Sequence, residues 1–168
     1  MSCVSTPIAS AIDAAFALLP DRMDTRAARI AMIAIGLQES GLKDRCQKLQ
    51  NGGRGPAHGL WQFERTGGVL GVLTHGATRR HAFDACKARG IAADSSAVWA
   101  ALEHDDVLAA VFARLLLFTL PRKLPSLNSD PGESWKYYLD AWRPGKPHRE
   151  TWDAYLMHAR AQVAAYVG

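Results

Sequence analysis

A chain of 168 residues, 48% hydrophobic, with 20 Lys and Arg against 16 Asp and Glu and a net charge of +4, is sized for one globular domain with a real core. The mild positive charge suits an acidic polymer, whether nucleic acid, a membrane surface or an anionic cell wall, without choosing among them. Three cysteines, Cys3, Cys46 and Cys86, without any CxxC spacing, exclude the common zinc modules. A Cys46–Cys86 disulfide is left open, with reduced thiols the simpler expectation.

Met1 to Pro20 lacks a basic leading segment, and Asp13 interrupts its apolar stretch, so no cleaved signal peptide is expected. Within it, Pro7 to Leu19 carries Ile8, Ala11, Ile12, Ala15, Phe16 and Leu19 at helical spacing. Pro20-Asp21 breaks the chain, and Asp24 or Thr25 is placed to cap the next helix. That helix presents Ala27, Ile30, Ala31, Ala34 and Ile35 on one face and runs to Glu39. Residues 43–58 are polar and then glycine-rich, which predicts a loop with a small hairpin at Asn51-Gly52.

Further helices are predicted over Thr66–His75, over Thr78–Arg89 closed by Gly90, and from a cap at Ser95 or Ser96 through Leu102. Asp105 or Asp106 caps a strongly apolar helix, Val107–Leu120, which Pro121 stops. Arg114 interrupts this run, which is too short to span a bilayer. Residues 121–132 form a surface loop, Glu133–Trp142 a short aromatic helix, Arg143 to Pro147 a turn, and Arg149–Val167 the last helix. Trp152, Tyr155, Leu156, Ala159, Val163 and Tyr166 share one face of that helix. Strand-like alternation is nearly absent, so the expected fold is a mainly α single domain spanning 1–168.

Three pieces carry chemistry. The first is Ile33-Ala-Ile-Gly-Leu-Gln-Glu39-Ser40-Gly41-Leu42, an apolar run ending in a carboxylate. Burial there would raise the Glu39 pKa and keep a proton available near neutral pH; the alternative is a solvated helix end with Gly41 as the stop. The second is Gly59-Leu60-Trp61-Gln62-Phe63, about twenty residues on. The third is the aromatic cluster Trp135, Tyr137, Tyr138 and Trp142, running into Arg143-Pro144-Gly145.

Together these resemble the lysozyme-like superfamily and, within it, the soluble lytic transglycosylases that cut peptidoglycan. Glu39-Ser40 matches that family's Glu-Ser signature, and Gly59-Leu60-Trp61-Gln62 its Gly-Leu-Met-Gln signature with Trp for Met. Asp106-Val107 and the apolar helix after it resemble the Asn-Ile-type helix start, with Asp for Asn. Leu139-Asp-Ala-Trp142-Arg-Pro-Gly145 is similar to the late Ala-Tyr-Asn-Ala-Gly turn, with Trp142 where the family has Tyr. The resemblance spans roughly residues 25–146 and looks most like phage or prophage members. It implies a lysozyme-like fold with an active-site cleft, and cleavage between N-acetylmuramic acid and N-acetylglucosamine. Glu39 would act first as acid and then as base on the sugar's own 6-hydroxyl, leaving a 1,6-anhydro end.

The residue types agree with that chemistry, because a carboxylic acid in an apolar setting can protonate a leaving glycosidic oxygen. A hydrolase would pair Glu39 with a second carboxylate, for which Asp44, Glu64 and Asp106 are the candidates; Glu64 is the first choice, and Asp106 reads better as a helix cap. Ser40 and Gln62 offer hydrogen bonds to sugar hydroxyls or N-acetyl groups, although Ser40 also suits a helix end. Trp61 offers a face for a pyranose ring or a core side chain. Of the adjacent tyrosines, one would hold Glu39 and the other pack. Tyr138 and Trp142 share a helical face and are favoured for the cleft, while Trp99, Trp135, Trp152 and Tyr155 read as core. Substrate contacts are thus expected from Ser40, Gly59, Leu60, Trp61, Gln62, Tyr138 and Trp142.

No HExxH or other ligand spacing joins the six histidines, so neither metal nor cofactor is expected. Arg79-Arg80-His81 is a short basic patch on a solvated face. The expected partner is the glycan strand, with no nucleic acid and no membrane insertion. The chain is expected to act as a monomer, made in a bacterial host cytoplasm and working at the cell wall. Host lysis, virion-borne entry, bacterial remodelling and a non-catalytic wall-binding role all stay open.

Overall fold

The computed structural model describes residues 6–166, and Cys3 lies outside them. The chain is mainly helical, with a small antiparallel sheet inserted after the second helix. Helix α1 (Thr6–Ala17) leads through a single 3-10 turn, Asp21–Met23, into α2 (Arg26–Ser40). The Thr25 hydroxyl accepts from the Ala28 amide at 3.1 Å and so caps α2. Burial on α2 is wider than a single stripe: Ala28, Ile30 and all of Met32 to Gly36 are buried. This helix therefore runs through the protein rather than along its surface. It packs mainly on α8 (Arg149–Tyr166), with a smaller contact to α6 (Asp106–Phe118).

Helix α6 is the second pillar, buried from Leu108 to Leu117. The one charge in that buried run, Arg114, is tolerated inside because its Nε donates to the Met23 carbonyl at 2.8 Å and its guanidinium lies over the Phe118 ring. Desolvation lowers the Arg114 pKa from its ordinary value. Helices α1 and α4 (Arg79–Arg89) cover α6, and α7 (Pro131–Trp142) closes against α8.

The sheet is larger than the expected hairpin. Strand β1 (Cys46–Lys48) pairs with β2 (Arg54–His58) around the Asn51-Gly52 turn, where Gly52 has φ +80°. A third strand, β3 (Phe63–Glu64), adds to β2 in the register Ala57 to Glu64 and His58 to Phe63. A two-residue strand carries no readable alternation, which is why the sequence does not announce it.

The helix expected over Thr66–His75 is also different. Arg65–Val69 is a π turn, broken at Gly67, that feeds a short α3 (Leu70–Thr74). Gly68 there sits so close to Phe63 that an added Cβ would fall 2.7 Å from the ring. Caps differ too: Asp94, not Ser95 or Ser96, caps α5 (Ser95–Leu102), and Asp105 caps α6. On α8, Trp152, Leu156, Ala159 and Val163 are buried, whereas Tyr166 is exposed. Cys46 and Cys86 are both free thiols, and burial raises the Cys86 pKa to about 11. Among the described residues no helix is long and apolar enough to cross a membrane, and no group of three or more His, Cys, Asp or Glu gathers for a metal.

Candidate active site

The end of α2 has to stop abruptly, and the sequence supplies the means. Gly41 takes the left-handed conformation at φ +63°, and its amide returns to the Leu37 carbonyl. Leu42 follows at φ +53°, its amide shared between the Gly36 carbonyl and the Ser40 hydroxyl. Leu42 is buried, so side-chain burial anchors a backbone conformation that would otherwise cost about 1–2 kcal/mol.

Hydrogen bonds then join segments far apart in sequence. The Ser40 hydroxyl donates to the Leu60 carbonyl at 2.6 Å, and the Trp61 indole N–H to the Met32 carbonyl at 2.8 Å. The Trp142 indole N–H donates to the Trp61 carbonyl at 2.9 Å, and the Tyr138 hydroxyl to Glu39 Oε1 at 2.6 Å. Gln38, beside Glu39, donates to the His148 carbonyl and accepts from the Thr151 hydroxyl, which ties the same helix end to α8. Asp106 receives Arg45 in two bonds, at 3.0 and 2.6 Å, while the Arg45 carbonyl accepts the Gly59 amide. All the motif segments thus converge on the end of α2.

Glu39 is half-buried there. Burial raises its pKa from 4.5 to about 7, opposed by the Tyr138 hydrogen bond, which favours the ionised form; no neighbouring charge is among the causes. Burial and the bond to Glu39 push the Tyr138 hydroxyl up, so it stays a donor at neutral pH. A carboxyl that is about half protonated at neutral pH can both give and take a proton.

Several expected substrate contacts are not at the surface. Trp61 and Leu60 are fully buried and Gly59 is buried, so no sugar reaches the Trp61 face. Gly36 is crowded from outside its helix: an added Cβ there would collide with the Leu42 side chain and come within 3.1 Å of the Trp61 Nε1. Ser40 serves the backbone rather than a ligand. Gln62 is half-buried at φ +52°, its amide donating to the Gly59 carbonyl at 2.9 Å. Trp142 is half-buried and edge-packed on Phe63.

Tyr138 holds Glu39, whereas Tyr137 points its hydroxyl at the Leu117 carbonyl. Of the candidate second carboxylates, Asp44 is paired with Lys48 and Asp106 with Arg45. Asp106 opens α6 but does not cap it. Glu64 is exposed on β3. Trp99, expected in the core, is half-buried and stacks on His58 at 3.7 Å. Gln38, Thr151 and the Arg45–Asp106 pair escape sequence reading, because only the fold brings α8 and α6 to this corner.

Leu42, Gln62 and Arg143, with φ of +53°, +52° and +48°, are the non-glycine residues with positive φ among those described, and each lies within one of the motif segments. Such strain persists where the surroundings over-determine it, and it gathers at functional sites. A concavity of about 340 Å³ lies elsewhere, lined by parts of α1, α2 and α8 and not including Glu39. Two of its carboxylates, Asp13 and Asp24, are already paired with Arg29. The perturbed carboxyl, not this hollow, therefore marks the candidate site.

Gly59 tests the assembly without touching a ligand. Its φ of +77° and a Cβ position 2.7 Å from the Leu102 carbonyl both forbid a side chain. Gly59→Ala is expected to destabilise the chain by roughly 2 kcal/mol or more, read as a lower urea midpoint with unchanged slope.

No family model, curated protein or solved structure matches this chain.

Proposed function

We propose that this chain is a peptidoglycan-cleaving enzyme with a lysozyme-like fold, of the soluble lytic transglycosylase type, acting at the cell wall in a phage or prophage setting. The observation that carries the reading is Glu39: a carboxyl raised to about pKa 7 by burial, held by one tyrosine hydroxyl and free of a charged partner. A proton on Glu39 passes to the leaving O4 as the C1–O4 glycosidic bond breaks. The carboxylate so formed faces the developing positive charge at the anomeric carbon. It then takes the proton of the 6-hydroxyl as O6 bonds to C1. Glu39 ends protonated, and the glycan ends as a 1,6-anhydro sugar.

Tyr138 has the matching role of steadying the ionised intermediate state of Glu39. Gln62 and Trp142 are half-buried rather than buried, and of the expected contacts they are the ones left to meet sugar. Hydrolysis would need a second carboxylate to activate water. Glu64 is the exposed candidate, but its charge is not among the causes of the Glu39 shift, so we favour the single-acid route. Addition of the chain to purified sacculi is expected to lower their turbidity. Binding without turbidity loss would instead assign it a wall-holding role.

A further inference from the structure

The acid does not stand alone with its tyrosine. The Tyr138 ring is stacked on Trp152 at 5.2 Å and 12°, and Trp135 leans on it at 5.3 Å and 51°. The two indoles meet edge to face at 5.6 Å, closing a three-ring cluster. Each indole is itself fixed. The Trp152 N–H donates to the Pro131 carbonyl and the Ser134 hydroxyl, both at 3.2 Å, and the ring is buried. Trp135 lies under the Arg149 guanidinium, which Asp153 holds at 2.5 Å.

A tyrosine ring turns about two bonds, and small rotations swing its hydroxyl through a wide arc. A 2.6 Å hydrogen bond to a half-buried carboxylate needs that arc closed. The α7–α8 aromatic cluster closes it.

We propose that Trp152 and Trp135 are positioning residues for the acid: they fix the Tyr138 ring so that its hydroxyl stays on Glu39, and they set the acid's proton affinity through that bond. This rests on Glu39 being the acid. Around it, the charged groups on the flanking elements have their own partners. On α8 these are His148 with Glu150 and Arg149 with Asp153; on α7, Asp140 with Arg122; on the loop and α6, Asp44 with Lys48 and Asp106 with Arg45. Lys43 beyond α2, Glu64 and Arg65 at β3, Glu133, Lys136, Arg143 and Lys146 around α7, and His158 and Arg160 on α8 are further charged or titratable groups on these elements. None of these is among the causes of the Glu39 shift.

The consequence has a definite sign. The tyrosine bond favours the carboxylate and lowers its pKa, so loosening the ring must raise it. A merely structural role for the indoles would weaken folding without moving the titration in this direction.

The test follows the Glu39 carboxyl carbon by NMR in glutamate-labelled protein, assigned by its loss in Glu39→Gln. The wild-type midpoint is expected near 7. Trp152→Phe keeps ring bulk but loses both N–H anchors, and Trp135→Ala alters a half-buried position that tolerates change if the Phe variant does not fold. Both are expected to move the midpoint upward, in the direction of Tyr138→Phe, and to move it no further when made in the Tyr138→Phe background. An unmoved or lowered midpoint in either folded variant, or an equal further shift in that background, overturns the inference. The titration needs no substrate, so a chain that failed to cut glycan would sink the proposed function separately.

Discussion

Glu39→Gln is expected to abolish sacculus lysis, a rate loss of roughly a hundred- to ten-thousand-fold, and at the same time to make the protein more stable above neutral pH. The first effect follows from removing the proton donor. The second follows from burial. The folded chain holds the Glu39 proton up to about pH 7, whereas the ordinary carboxyl releases it near 4.5. The folded state is therefore favoured below pH 4.5, and that stabilisation is lost as pH rises from there through 7. Above that window the cost of the buried charge reaches roughly 3 kcal/mol, at about 1.4 kcal/mol per pKa unit. Gln carries no charge and leaves an oxygen for the Tyr138 hydroxyl to donate to. Its melting temperature at pH 8 is expected to exceed wild type by roughly 2–4 °C per kcal/mol relieved, with the gain vanishing below pH 4.5. A solvated helix-end glutamate would give neither the lost lysis nor the pH-dependent gain, so calorimetry at two pH values and one turbidity assay discriminate.

Trp61→Ala carries the largest stability effect. Trp61 is fully buried and its N–H donates to the Met32 carbonyl, so truncation leaves a cavity and removes that hydrogen bond. A loss of about 3–5 kcal/mol is expected, visible as a fall of roughly 6–20 °C in melting temperature at roughly 2–4 °C per kcal/mol. If the ring were instead a platform for sugar, the same variant would raise KM and leave unfolding unchanged. Trp61→Phe should recover much of the loss, because the ring volume, not the surface it presents, is what matters in a packed interior.

How much of this was legible in the chain differs by element. The ends of α2 and α4 could be read from Thr25, Gly41 and Gly90, because capping and left-handed turns depend on single residues. The apolar helix α6 could be read from its run, although Arg114 gave no hint that Met23 would satisfy it from far away in sequence. Strand β3 and the π turn could not be read, since two residues and a glycine pair carry no periodicity. In the candidate site, the spacing of Glu39 from Gly59-Leu60-Trp61-Gln62 picked out segments that the fold joins by hydrogen bonds, but it did not say which side chains turn inward. Trp61 faces the core with its indole N–H on the Met32 carbonyl, a tertiary contact that no local pattern encodes. Tyr138 could be narrowed to one of two adjacent tyrosines; the plate behind it, Trp152, comes from a helix that only the tertiary fold brings near.

Glu39 sits at the end of α2, bonded to Tyr138 of α7, with its proton held to about pH 7. The most direct measurement of its proposed task is mass spectrometry of the fragments that the chain releases from purified sacculi. A lone acid that recruits the sugar's own 6-hydroxyl predicts muropeptides ending in the 1,6-anhydro form, one water lighter than the hydrolysed product. Ordinary reducing ends, or no fragments from the folded wild-type chain, would contradict it.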